Sequence, residues 1–273
     1  MMVVLGLNIE YFEYPVGLKM TTKKFDELFS EKPREPESQL KQIHFDLAAS
    51  IQEVCEEIVV KLAAEAKNVT GKSNLCVSGG VGLNCVANGK LLQSQLFENV
   101  WVQPAAGDAG SAIGAAFVGY YSKTEEVKNS SGHDLMQGAF LGPEFNQDEI
   151  ELELKQCGAT YTTLNISELI DFTAGQIAEG KAVGWFQGRM EFGPRALGNR
   201  SIIADPRMID MQEQLNLKIK FRESFRPFAP SVLIEDSKEW FDISSESPYM
   251  SFVVGLKESK RILSKEKFVL TGL

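Results

Sequence analysis

Two short apolar runs, each followed by a turn and a helical pattern, constrain the fold of this chain more than any other feature. Residues 75–78 (LCVS) end at a glycine pair and precede a helical pattern at 86–92. Residues 100–102 (VWV) precede a loop and a helix of very small residues within 104–116. Strands that alternate with helices indicate an α/β layer. The sequence therefore predicts a mixed α/β protein.

A long core-facing helix is predicted from Leu40 to about Lys67, where apolar residues recur every three or four positions. Ahead of it, the prolines and mixed charges of residues 25–37 favour a surface connection.

A polar stretch from residue 124 to 134 indicates a connection that ends by Pro143, which divides the chain into regions 1–143 and 144–273. Four elements are predicted in the second region: a helix capped by Asn146 that ends near Gly158, a helix capped by Ser167 that ends at Gly180, a strand at 181–186 and a helix at about 209–217.

Composition excludes several classes of function. The chain has 273 residues, of which 44% are apolar and 24% charged, and no apolar stretch approaches the ~20 residues that cross a bilayer. We therefore expect a globular cytoplasmic protein with no membrane partner. The net charge of −9 argues against nucleic-acid binding, which normally needs a basic surface. The four cysteines form no CxxC pair and the two histidines stand alone, so we expect buried, inert thiols.

The glycine turn SGGVGLN at 78–84 lies between a predicted strand and a predicted helix. Glycines in this position allow backbone N–H groups to face a phosphate and leave room for a nucleotide. A tight turn with packing glycines is the other interpretation. Asp108, between glycines at the start of the small-residue helix, is either a metal or phosphate-associated ligand or an N-cap.

A basic segment runs from Arg189 to Arg226, with six Arg and two Lys against five acids, a local charge of +3. Guanidinium groups bind phosphate through paired hydrogen bonds, so this segment is suited to one small anion. Some of these arginines are expected to be structural partners of the acids in the segment, which include Glu191, Asp205 and Glu223.

Five segments together resemble the NodU/CmcH family of O-carbamoyltransferases, and the likeness covers nearly the whole chain. They are DLAASIQEVCEE, SGGVGLNCVANGKLL, QPAAGDAGSAIGAA, GWFQGRMEFGPRALGNRSIIADPR and KIKFRESFRPFAPSVL. The resemblance implies part of a Kae1-like domain, of the actin/sugar-kinase/Hsp70 superfamily, over 1–143. It implies part of a YrdC-like domain over 144–273.

The resemblance also implies a two-stage reaction. Carbamoyl phosphate is hydrolysed in the YrdC-like domain, the carbamate reacts with ATP to form carbamoyladenylate, and a hydroxyl acceptor takes the carbamoyl group with release of AMP. Ser78, Gly79, Gly80 and Asn84 match the ATP turn, and Asp108 matches a ligand of a divalent metal, Fe²⁺. The matches to the carbamoyl phosphate contacts are Arg189, Lys220 and Arg226, with Arg195 and Arg222 as neighbours.

The departures from the family pattern lead to further expectations. The family's paired metal-binding histidines and its HVDGTAR-type segment have no counterpart here, so we expect an excised piece that is inactive alone and whose exposed apolar surface promotes self-association. Two alternatives stay open. One is a tRNA threonylcarbamoyl-transferase-like enzyme, which the acidic balance disfavours, and the other is a non-catalytic nucleotide- or anion-binding module.

Overall fold

The chain folds into helices and two small sheets, and the computed structural model describes residues 6–124, 134–243 and 246–262. The helices are α1 (Lys23–Phe29), α2 (Gln42–Thr70), α3 (Cys85–Gln93), α4 (Asp108–Tyr121), α5 (Gln147–Gln156), α6 (Ile166–Ala178), α7 (Met211–Gln214) and α8 (Ser237–Trp240). The strands are β1 (Asn74–Val77), β2 (Asn99–Val102), β3 (Val183–Phe186) and β4 (Arg200–Ile203). The prediction of a mixed α/β protein is confirmed.

The first sheet consists of β1 and β2, which pair in parallel from Asn74 opposite Asn99 to Val77 opposite Val102. Parallel neighbours need a crossover connection, and α3 supplies it. The long helix α2 covers this unit, with Ala63, Leu91 and Phe97 at the centre of the shared core. The predicted α2, β1, α3 and β2 are thus confirmed to within about three residues, whereas α4 ends five residues beyond the predicted 116.

A later segment of the chain lies directly on α3. The Val253 N–H donates to the Cys85 carbonyl at 2.9 Å, and a Cβ on Gly89 would lie only 2.1 Å from the Val253 carbonyl oxygen. Only glycine permits this approach. The buried amide of Asn88 donates to the carbonyls of Gly82 and Ser251, at 2.8 and 3.1 Å. Residues 251–253 are therefore fixed to the first sheet unit.

The second sheet is the antiparallel pair β3 and β4. After β4, α7 continues into a π-helical segment, Leu215–Lys220, so the helix predicted at 209–217 is longer and partly π. A second core cluster contains Met136, Ala139 and Tyr249, with Phe192 packed against it. The polar stretch at 124–134 lies almost wholly outside the described residues, and the domain boundary at residue 143 stays a prediction.

Two local predictions are wrong. Residues 25–37 do not form only a connection, because α1 extends to Phe29 and its aromatic side chains cluster, with the Phe25 and Phe29 ring centroids 4.8 Å apart. The helix α6 is capped by Asn165 and not by Ser167. Asn165 is the cap because Glu168, three residues later, completes a reciprocal capping box with it. The predicted cap at Asn146 is confirmed.

The expectation of buried thiols is also wrong. Cys76 and Cys157 are exposed, and Cys55 and Cys85 are half-buried. Cys76 is exposed because side chains alternate along β1, and its neighbours occupy the core side. In the described part of the chain, no helix has both the length and the apolar character needed to cross a membrane.

Candidate functional site

The glycine turn joins β1 to α3 through a 3₁₀ turn, Gly80–Leu83. Gly79 has a φ of +96°, which favours glycine, and its N–H donates to the Ala106 carbonyl at 2.7 Å. A Cβ on Gly79 or Gly80 would meet nothing within 4 Å. Ser78, Gly79 and Gly80 are all exposed. The turn therefore presents open backbone, as a nucleotide phosphate would require.

Asn84 closes the turn. Its side-chain oxygen caps α3 by accepting from the Ala87 N–H at 3.1 Å. Its amide also exchanges hydrogen bonds with Gln52 of α2, at 3.0 and 3.2 Å. These contacts give Asn84 a structural role that ties α3 to α2, and its contact with ATP stays a prediction.

Asp108 is the first residue of α4 and is exposed. The N-cap is Gly107, so the alternative that made Asp108 the N-cap is wrong. A carboxylate in the first turn of a helix is favoured by the helix dipole. Within residues 6–124, 134–243 and 246–262, no group of three or more His, Cys, Asp or Glu side chains could hold a metal ion. His133 lies outside those ranges, the assignment of Asp108 as a metal ligand stays a prediction, and we derive no chemical step through a metal.

Four arginines of the basic segment are structurally engaged. Arg200 pairs with the buried Glu191 at 2.9 Å, and Arg207 pairs with the buried Asp205 at 2.6 Å. Arg195 donates to the Leu83 carbonyl at 3.0 Å. The fourth is Arg222, whose Nε donates to Asn216 at 2.6 Å and whose guanidinium lies 5.0 Å from the Phe228 ring centroid.

Glu223 is paired differently from the expectation. Its carboxylate bonds to Arg34, which precedes α2, and not to an arginine of the basic segment. The neighbouring Ser224 is also held from that side, since its N–H and hydroxyl donate to Glu37 at 3.1 and 3.2 Å. The segment before α2 therefore anchors this loop.

The three predicted anion contacts of the basic segment, Arg189, Lys220 and Arg226, are exposed, and so is Lys218. Among the residues that the structure describes, none of the three side chains makes an ion pair or a hydrogen bond. Lys220 ends the π-helical segment, and Phe221 after it has a φ of +49°. π-Helical turns and left-handed non-glycine residues occur often at functional sites. The structure thus separates these three cations, and the equally exposed and unpaired Lys218, from four engaged arginines.

Glu191 organises the loop that carries Arg189. Its side chain is fully buried and accepts hydrogen bonds from the N–H groups of Leu197, Asn199 and Arg200, at 2.7, 2.9 and 3.2 Å. Burial alone would raise the pKa of Glu191, but the bonds from Arg200 and the backbone outweigh it and lower the pKa to about 2. Glu191 is therefore a structural carboxylate that is ionised at neutral pH.

The loop of residues 187–200, which carries Arg189 and is called the arginine loop below, contacts the glycine turn. Arg195 reaches the Leu83 carbonyl, as noted above, and Gly193 lies against Ala105, with only 3.1 Å between the Ala105 Cβ and a Cβ built on Gly193. Ala106, next in the chain, accepts from Gly79. No hydrogen bond or ion pair in the described ranges joins residues 187–200 to residues 212–226. The contacts thus bring the arginine loop to the glycine turn, and no polar bond in the described ranges connects it to the loop that carries Lys220 and Arg226.

Two family models match this chain. Residues 5–117 match the family model described as carbamoyltransferase N-terminus, and residues 174–267 match the one described as carbamoyltransferase C-terminus. The chain belongs to the NodU/CmcH carbamoyltransferase family. The predicted boundary at residue 143 falls between the two matched ranges.

Several relatives align with most of this member of the family. An uncharacterised protein of Synechocystis is 50% identical over 98% of the chain, which corresponds to 44% of the relative. The nodulation protein NolNO of Sinorhizobium fredii is 44% identical over 81% of the chain and 33% of the relative. The nodulation protein NolO of Bradyrhizobium diazoefficiens is 42% identical over 80% of the chain and 40% of the relative. The chain thus spans less than half the length of these relatives.

The sequence did not predict Asn199 and Asn216 as site residues. Both are buried and donate to backbone carbonyls in the loops of the free cations. In the sequence each asparagine stands close to an arginine that the resemblance singles out, but nothing in the residue pattern shows that it is buried. The structure identifies them as buried polar side chains that bond to loop backbone.

Proposed function

We propose that this chain contributes a carbamoyl phosphate site and part of an ATP site to an O-carbamoyltransferase. The proposal assigns residues 1–143 to a Kae1-like domain and residues 144–273 to a YrdC-like domain. Family membership supports carbamoyl transfer, while the substrates and the order of steps come from the proposal. The hydroxyl acceptor is a small molecule whose identity the site does not specify.

In the first step, Arg189, Lys220 and Arg226 hold the phosphate of carbamoyl phosphate. Water cleaves the bond between the carbamoyl group and the phosphate, which leaves carbamate and inorganic phosphate. Charge-assisted bonds from unpaired cations favour the developing charge on the phosphate. The engaged side chains of Arg195 and Arg222 support the loops and are not the first contacts in this scheme.

In the second step, a carbamate oxygen attacks the α-phosphorus of ATP and pyrophosphate leaves, which gives carbamoyladenylate. The acceptor hydroxyl then attacks the carbamoyl carbon, AMP leaves, and the hydroxyl proton passes to solvent. The exposed turn of Ser78, Gly79 and Gly80, in which the Gly79 N–H is already bonded to Ala106, is assigned to the ATP phosphates. Carbamate is short-lived in water, and the contact between the arginine loop and the glycine turn supports a short transfer by placing the two regions next to each other.

The observation that carries the proposal is that Arg189, Lys220 and Arg226, with Lys218 beside them in the sequence, are exposed and without partners among the described residues, in a segment whose other arginines are engaged. Isothermal titration of the chain with carbamoyl phosphate, and separately with inorganic phosphate, tests it. Replacing Arg189, Lys220 and Arg226 together by Ala should weaken binding at least about a hundredfold, because several charged hydrogen bonds are lost.

Arg207→Ala is the matched control, since Arg207 lies in the same segment but already pairs with Asp205. It should leave the dissociation constant unchanged within about twofold. Unchanged binding in the triple variant, or an equal loss in Arg207→Ala, would show that the anion binds elsewhere or only through net charge.

A further inference from the structure

Two buried asparagines lie beneath the free arginines, and we propose that Asn216 and Asn199 are positioning residues that hold Arg226 and Arg189 for anion binding. The inference rests on the proposed function, because it assigns these asparagines to the same carbamoyl phosphate site. Neither asparagine is proposed to touch the ligand. Each acts through the backbone of its arginine.

Asn216 is fully buried, at 0% exposure, inside the loop that carries Arg226. Its amide nitrogen donates to the Arg226 carbonyl at 2.8 Å and to the Ser224 carbonyl at 2.9 Å. Its side-chain oxygen accepts from Arg222 Nε at 2.6 Å, and its backbone carbonyl accepts from the Arg222 N–H at 3.0 Å. Both donor hydrogens of the amide are therefore spent on residues 224–226, which have no strand or helix to fix them.

Asn199 makes the equivalent contact in the first loop. It is 9% exposed, and its amide nitrogen donates to the Arg189 carbonyl at 2.7 Å. Its own N–H donates to the buried carboxylate of Glu191 at 2.9 Å, so the asparagine is itself held in place. The backbone at both arginines is thus fixed by a buried amide while both guanidinium groups stay free.

This arrangement matters for binding because an arginine side chain has many rotamers. A hydrogen bond to the arginine's backbone carbonyl fixes the position of its Cα. The loop then loses less conformational entropy when the anion binds. A loop that can shift by about 1 Å loses aligned bonds even when the charge is still present. Truncation of either asparagine should therefore weaken binding without removing any charge.

Asn88 offers a matched control for a purely structural role. It is 1% exposed, and its amide likewise donates to two backbone carbonyls, those of Gly82 in the glycine turn and of Ser251. Asn88→Ala should reduce the free energy of unfolding as Asn216→Ala does, since each removes a buried amide that bonds to two backbone carbonyls. Only Asn216→Ala and Asn199→Ala should alter anion binding.

The test is isothermal titration of the 273-residue chain and its variants with carbamoyl phosphate, together with urea denaturation. Asn216→Ala and Asn199→Ala should each raise the dissociation constant about tenfold, and Asn88→Ala should change it less than about twofold. In the Arg189→Ala background, Asn199→Ala should cause no further loss of affinity, because it acts only through Arg189. If Asn216→Ala does not fold, Asn199→Ala decides the question.

The outcomes separate this inference from the proposed function. If Arg189→Ala and Arg226→Ala weaken binding but the asparagine variants match Asn88→Ala, the positioning role is overturned and the anion site stands. If Asn199→Ala and Arg189→Ala weaken binding additively, the role is likewise overturned. If neither arginine variant changes the affinity, the proposed anion site fails and the positioning role fails with it.

Discussion

The glycine turn and the arginine loops are both irregular, but they are held in place by different means. At the turn, order comes from backbone: Gly79 takes a left-handed conformation and bonds to Ala106. In the two loops that carry Arg189 and Arg226, order comes from three buried polar side chains, Glu191, Asn199 and Asn216. The turn therefore stays open around Gly79 and Gly80, while the loops can present cations that are not used for structure.

Substitutions in the two regions should therefore have different costs in the free energy of unfolding. A buried carboxylate or amide is stabilised only while its partners are in place, and its loss leaves several groups unpaired. An exposed turn buries little, so a change there is costly only where it violates backbone geometry. Single substitutions should therefore have larger effects in the arginine loops than in the turn.

The largest effect is expected for Glu191→Ala. It removes the acceptor for three backbone N–H groups and leaves Arg200 without its partner, so we expect a loss of about 3–5 kcal/mol in the free energy of unfolding. Urea denaturation measures it. Glu239→Ala, which breaks the ion pair of an exposed glutamate with Lys260, should cost within about 0.5 kcal/mol. Equal losses in the two variants would contradict the role given to Glu191.

Acid should affect the same loop. The folded pKa of Glu191 is about 2, below its unfolded value of about 4.3, so its contribution is present above pH 5 and is lost as pH falls toward 2. That contribution is on the order of 2–3 kcal/mol. Denaturation midpoints between pH 7 and pH 3 should fall more steeply for the parent than for Glu191→Gln. Parallel pH profiles would show that Glu191 is not the titrating group.

The sequence predicted the regular elements well, and the reason is local. The repeat of α2, the strand β1 and the Asn146 cap each depend on side chains within one element. What could not be predicted depends on contacts between distant residues. Nothing near Glu223 indicates that Arg34 is its partner, and nothing near Asn216 indicates that it is buried beneath Arg226.

The candidate site follows the same division. Residue types and resemblance single out the cations and the glycine turn, but they do not separate free from engaged arginines. That separation depends on which carboxylate or carbonyl each guanidinium reaches, as Arg195 reaches Leu83 from 112 positions away. The positions of Asp108 and Asn84 in the elements were predictable, whereas the bond between Asn84 and Gln52 was not.

Ligand binding sharpens the comparison at a single cation. Arg226→Ala should weaken carbamoyl phosphate binding by about 1.5–3 kcal/mol, or ten- to a hundredfold, because one charged hydrogen bond is lost. Its affinity for ATP should barely change, since ATP is assigned to the glycine turn. Calorimetry with both ligands checks this. Loss of ATP affinity with unchanged carbamoyl phosphate binding would reverse the assignment of the two regions.

The smallest effects are expected within the turn itself, where two adjacent glycines make a matched pair. Both have open space around the position of a Cβ, but only Gly79 has a positive φ, at +96°. Gly79→Ala should therefore cost about 1–2 kcal/mol through backbone strain alone. Gly80→Ala should change the free energy of unfolding by no more than about 0.5 kcal/mol, because nothing clashes and its φ suits alanine. Urea denaturation of the two variants distinguishes backbone geometry from packing: equal losses would mean that the turn is held by contacts of its glycines and not by the left-handed residue.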